Sequence, residues 1–281
     1  DGNGDGILEC DSGAWEWQGG PDIGAAQSGI YYDPLRSGEG HFLELIGDGR
    51  AVLSTFSYGP EGGMAWFIGV GQVVGNSVVV GALWSTRGGV FGAAFDETAI
   101  ERFDVGGASL VFPTCQATDR PGHFAFGHAA NNDFEDLAAS AARLGFVVPC
   151  SGTPSPLAHR SGGYYPPGRS GEGLFVHYLP AGNAVLIFYS YTPTGEQFWA
   201  ISGEVSIDGD TLTAQMLFPA LTTRFGSRFD PTEIELQPWG QVTLTHLGCD
   251  SAQFTHDSIQ PGYGSGSHEY VRLTQLLGTG C

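Results

Sequence analysis

The peptide SGIYYDPLRSGEG at residues 28–40 recurs as SGGYYPPGRSGEG at residues 161–173, 133 residues further on. The correspondence runs well past that opening. At the same offset Tyr31 and Tyr32 fall on Tyr164 and Tyr165, Arg36 and Glu39 on Arg169 and Glu172, and Trp66 on Trp199. FSYGPEG (56–62) falls on YSYTPTG (189–195). One residue is then gained, so that FGAAFDETAI (91–100) aligns with FGSRFDPTEI (225–234) and Cys115 with Cys249. Each copy closes on an Arg-Leu pair before a cysteine, Arg143-Leu144 before Cys150 and Arg272-Leu273 before Cys281. A repeat this long is one folding unit written twice. It divides the chain into an acidic lead (1–27), one module at 28–150, a Pro/Ser linker at 151–160 and a second module at 161–281.

Within each copy the apolar runs are short and bounded by turns. GHFLELIG ends at DGR, AVLSTFSY at GPEGG, and in the second copy GLFVHYL ends at PAGN and AVLIFYSY at PTGE. Val, Ile, Phe, Tyr and Thr dominate runs of about six to nine residues, with turn signals every ten or so, which is the signature of an antiparallel meander. Glycine at 45 of 281 residues fits many turns. The fold class expected is all-β: two tandem barrel-like or sandwich modules of seven or eight strands, closed so that sheet edges are protected. One short helix is expected near 132–144, where NNDFEDLAASAARLG offers an N-cap, acids in the first turn and a terminal glycine. The second copy has PGYGSGSHEYVRLTQL there, which predicts that the copies differ at this closing segment.

The R-S-G-E-G turn has two readings. As structure, its glycines make a tight turn and its Arg and Glu pair across it. As a site, Tyr31, Tyr32, Arg36, Glu39 and Trp66, with Tyr164, Tyr165, Arg169, Glu172 and Trp199, form an aromatic and charged mouth for a small molecule or glycan. A turn the fold requires must be in both copies, whereas an active site need be in only one, so duplication favours structure.

Signatures of catalysis are sparse. There is no G-x-S-x-G and no H-E-x-x-H, and GVGQVVG (69–75) lies in a strand run with no helix to follow. Neither Arg/Glu pair contains a nucleophile. His123 and His128, with His256 and His268 in the corresponding region, are a weak metal pattern beside ordinary solvated or capping histidines. With 11 arginines, no lysine, 30 acidic residues and a net charge of −19, the chain repels nucleic acid and anionic lipid, and cations are its expected small partners. No apolar run is long enough for a membrane-spanning helix, so no membrane insertion is expected. Of five cysteines, Cys115 is expected to bond Cys150 and Cys249 to bond Cys281, each pair closing its own module and leaving Cys10 over.

The motif set G-x-Y-Y-x-P-x-R-S-G-E-G, a following aromatic-x-Tyr, a Trp, F-G-x-x-F-D, and a late Cys followed by Arg-Leu and a last Cys resembles a duplicated β-rich module of secreted proteobacterial proteins. The resemblance covers residues 28–281 and implies export and a β-rich fold rather than a reaction. DGNGDG at the start is similar to the calcium loops of thrombospondin type 3 repeats. Asp1, Asn3 and Asp5 would supply side-chain oxygens, Ile7 a carbonyl, and Glu9 or Asp11 the closing carboxylate, making calcium the one cofactor to expect. The function expected is a non-catalytic, secreted or cell-surface structural, adhesive or filament-forming component that associates with itself or other extracellular chains. The alternatives are a small-molecule or glycan binder at the barrel mouths and a hydrolase with an unrecognised site.

Overall fold

The computed structural model describes residues 23–112, 124–131, 133–149 and 153–280. The fold is all-β. Eight antiparallel strands form a first closed barrel: β1 (Gly29–Tyr32), β2 (Gly40–Ile46), β3 (Arg50–Tyr58), β4 (Met64–Val74), β5 (Ser77–Arg87), β6 (Glu101–Val111), β7 (Phe124–Ala130) and β8 (Leu137–Phe146). Eight more form a second: β9 (Gly162–Tyr165), β10 (Gly173–Leu179), β11 (Asn183–Tyr191), β12 (Gln197–Asp208), β13 (Thr211–Leu221), β14 (Glu235–His246), β15 (Ser251–Ser258) and β16 (Ser265–Arg272). Both are up-and-down meanders in which the last strand returns to the first, β8 on β1 and β16 on β9. Closure leaves no free edge in either sheet. Among the described residues the barrels do not exchange strands.

Alternation along the strands sorts side chains to two apolar environments. On β2 and β3, Leu43, Leu45, Ala51 and Leu53 point into the barrel, while Phe42, Val52, Phe56 and Tyr58 point outward and are just as buried. The outward set packs on Phe175, Ile187, Tyr189, Tyr191 and Trp199 of the second barrel. The outer faces of β2–β4 and β10–β12 therefore form a third core between the barrels, which is why these strands read as continuous apolar runs. Two sharp bends in β6 and β14 depend on glycine. Gly106 has φ +125 and a Cβ there would lie 1.9 Å from the Ala129 carbonyl oxygen; Gly240 has φ +150 and a Cβ would meet that of Asp257 at 2.2 Å.

The expected helix over 132–144 does not form. Residues 137–146 are β8, paired with β7 and β1. Alanine and leucine favour a helix locally, but closing the barrel between β7 and β1 needs a strand, and that tertiary gain overrides propensity. Small side chains suit it, since Ala139 and Ala141 pack into the barrel core. The acids read as a helix N-terminus hold loops instead: Asp136 Oδ1 accepts from Ala130 N at 2.7 Å, and Glu135 Oε2 accepts from Ser227 N of the second barrel at 2.8 Å. The copies thus agree at the closing segment as well. Arg143 on β8 and Arg272 on β16 each donate from Nη2 to the hydroxyl of the first repeat tyrosine, Tyr31 and Tyr164, both at 3.1 Å.

Asp1, Asn3, Asp5, Ile7, Glu9, Asp11 and Cys10 lie outside the described residues, as do His123, Cys115, Cys150 and Cys281. Cys249 is disulfide-bonded.

Candidate functional site: the junction of the barrels

The R-S-G-E-G turns join β1 to β2 and β9 to β10, next to the strands that pack between the barrels. Within each turn the arginine grips its glutamate: Arg36 Nε donates to Glu39 Oε1 at 2.5 Å, and Arg169 Nε to Glu172 Oε2 at 2.5 Å. The second carboxylate oxygen accepts from a strand serine, Ser57 Oγ to Glu39 at 2.5 Å and Ser190 Oγ to Glu172 at 2.6 Å. Having fixed its own turn, each arginine reaches into the other copy. Arg36 Nη1 donates to the Gly226 carbonyl at 3.0 Å with its guanidinium 4.2 Å from the Phe229 ring centroid. Arg169 Nη2 donates to the Gly92 carbonyl at 3.2 Å and sits 4.3 Å from Phe95. Planar, multi-donor arginine suits this combination of carboxylate, carbonyl and ring face.

Gly92, Phe95, Gly226 and Phe229 belong to the repeated F-G-x-x-F-D motifs, whose leading phenylalanines complete the exchange. Phe225 enters the core of the first barrel against Phe67, His128 and Phe134. Phe91 enters the core of the second against Trp239, His256 and Tyr263. Backbone bonds pin both loops, Phe225 N to Gly59 O at 3.1 Å and Phe91 N to Thr192 O at 3.2 Å. The tryptophans are reciprocal too: Trp66 Nε1 donates to Ser190 O at 3.3 Å and Trp199 Nε1 to Ser57 O at 3.1 Å. These arginine, phenylalanine and tryptophan contacts are reciprocal, so the barrels meet in a pseudo-twofold arrangement carried on one chain.

This arrangement separates the ten residues grouped above as a mouth. Trp66 and Trp199 stand on outer faces in the shared core. Tyr31 and Tyr164 turn inward, with hydroxyls donating to Gln27 O at 2.6 Å and Arg160 O at 2.9 Å. Burial raises the pKa of both phenols, opposed by Arg143 and Arg272. Tyr32 and Tyr165 are half-buried on the opposite face of their strands. The Arg/Glu pairs stay together, and Tyr31, Tyr32, Glu39 and Trp199 of the ten line one cavity beside the first turn.

Two departures from this symmetry bear on a candidate site. The first lies deep in the shared core, where Glu44 faces its own repeat equivalent, His177. Glu44 Oε1 and His177 Nε2 are 3.0 Å apart, both side chains are fully buried, and Thr274 Oγ1 donates to the other glutamate oxygen. No sequence pattern flagged this pair, because Glu44 and His177 sit in apolar runs and meet only once the barrels dock. The second is a cavity of about 370 Å³ in the groove beside the first turn, lined chiefly by Phe42, Phe56, Leu144, Ile187, Trp199, Ile201 and Leu236. Among the described residues no group of three or more His, Cys, Asp or Glu could hold a metal ion, and none of their helices is long and apolar enough to cross a membrane.

No family model matches the sequence, and comparisons with curated proteins and with solved structures find no match.

Proposed function

We propose that this chain is a non-catalytic structural component of the cell exterior, in which two barrels are locked into one rigid building unit. The observation that carries this reading is the reciprocal engagement of the R-S-G-E-G turns. Both oxygens of Glu39 and of Glu172 are already bonded within the turn and its strand, and Arg36 and Arg169 are spent on the opposite copy. A general base needs a free lone pair near a substrate, and a nucleophile needs an oriented partner; the repeated polar groups offer neither. Binding at the barrel mouths would place a ligand where Phe91 and Phe225 already stand. Export follows from the resemblance of the repeated motifs. The lysine-free, acidic surface suits association bridged by divalent cations, with the Asp1, Asn3 and Asp5 loop as the first calcium site to examine.

The test pairs stability with turnover. Arg36→Ala and Arg169→Ala should each lower the melting temperature, and neither should remove an activity from a broad screen of glycan, peptide and ester substrates. A variant as stable as the parent that had lost a turnover present in the parent would refute the reading. Sedimentation velocity with calcium and with chelator reports on association: larger species in calcium only is the expected result, and identical profiles would contradict cation bridging.

A further inference from the structure

The cavity beside the first turn exists because the two copies treat one glycine differently. In the second barrel Gly173 pairs across the ladder with Tyr189, and the tyrosine ring lies over it: a Cβ built on Gly173 would be 2.3 Å from the Tyr189 hydroxyl. In the first barrel Gly40 pairs with Phe56 in the same register. There a Cβ would approach only the Tyr31 carbonyl oxygen at 3.0 Å and the Tyr32 Cβ at 3.8 Å, with nothing else within 4 Å. Phe56 instead turns edge-on to Phe42, 6.0 Å between centroids. The volume that Tyr189 covers in one copy is open in the other, and about 370 Å³ is within the range of small-molecule pockets. The rim differs likewise. Leu236 and Leu144 are exposed at the entrance, at 46% and 56%, and the aligned equivalent of Leu236 is Arg102.

We infer that this groove is a binding site for one small, uncharged, mainly apolar molecule, of aromatic or medium-chain aliphatic class. Its walls are mainly aliphatic and aromatic, with Tyr31, Tyr32, Ser37, Glu39 and His41 as the polar part of the lining. Glu39, the one carboxylate in the lining, is paired with Arg36 at 2.5 Å and bonded again by Ser57, so it has no free oxygen to select a cation. The inference goes beyond the structural role and does not depend on it, since the latch can hold with the groove empty or filled.

The test exchanges residues between the copies in the full chain. N-phenyl-1-naphthylamine is the neutral fluorescent probe, with 1-octanol and octanoate as competitors and thermal melting as the folding control. Saturable binding at one site per chain is expected, weakened at least tenfold by Phe56→Tyr and, independently, by Leu236→Arg at the solvent-exposed rim. Octanol should compete at least as well as octanoate. Undiminished binding in either folded variant would overturn the site. Octanoate competing tenfold better than octanol would overturn the uncharged class, and non-saturable uptake would overturn the proposal altogether.

Discussion

His41 shows how one residue carries a pH dependence into the fold. It is buried in the first barrel with Nδ1 3.0 Å from Thr55 Oγ1. Burial, reinforced by the charge of Arg36, lowers its pKa to about 3. His246, on β14 with Nε2 2.8 Å from the Tyr178 hydroxyl, is lowered to about 4, first by burial and then by Arg160 and Arg272. Below pH 6.5 the unfolded chain takes up protons that the native chain refuses, so stability falls with pH from 6.5 towards these values. Each histidine contributes roughly 2 kcal/mol of loss between pH 6.5 and 5, at about 1.4 kcal/mol per pH unit. The second copy has leucine at the position of His41, so His41→Leu is sterically reasonable and should flatten the slope by about one proton. Chemical denaturation at pH 7, 6 and 5 measures this, and an unchanged slope would contradict it. The buried Glu44–His177 contact calls for a cycle instead. Glu44→Leu alone should cost about 3–5 kcal/mol by stranding His177, whereas Glu44→Leu with His177→Leu should recover most of that loss. Additive losses would show that the two residues act separately.

At the scale of elements, the repeated F-G-x-x-F-D loop belongs by sequence to one barrel and by packing to the other. Phe225→Ala should therefore loosen the first barrel although the residue lies between β13 and β14 of the second. The expected cost is about 3–5 kcal/mol for a buried phenylalanine. Hydrogen exchange should show the lost protection on β4 and β7, near Phe67 and His128. Protection lost only in the second barrel would count against the exchange. The strands themselves were legible from turn spacing, since GPEGG and PTGE fall between adjacent strands and DGR leads into β3. β8 was not, because alanine-rich local preference points to helix and only the demand for an eighth strand decides otherwise. The duplication identified Arg36, Glu39 and Trp66 as paired with Arg169, Glu172 and Trp199. It could not reveal that each set bonds the other copy, because an internal repeat reports equivalence and not contact. F-G-x-x-F-D was visible as a repeat, and its recurrence inside a loop, where the fold alone demands little, is the signal that could have marked it as an interface.

For the whole molecule, the two barrels enclose separate cores and share a third. The shared core joins the outer faces of β2–β4 and β10–β12, and it is ringed by the Arg36 and Arg169 contacts with the opposite copy. A unit so joined unfolds as one, because exposing the shared face of either barrel removes the partner surface of the other. The repeated R-S-G-E-G turns couple the barrels, and differential scanning calorimetry of the parent beside Arg36→Ala/Arg169→Ala is the decisive test. The parent should give a single transition whose van't Hoff and calorimetric enthalpies agree, and the double variant should melt at lower temperature and split into two transitions. Two independent transitions in the parent, unchanged by the double substitution, would contradict the account.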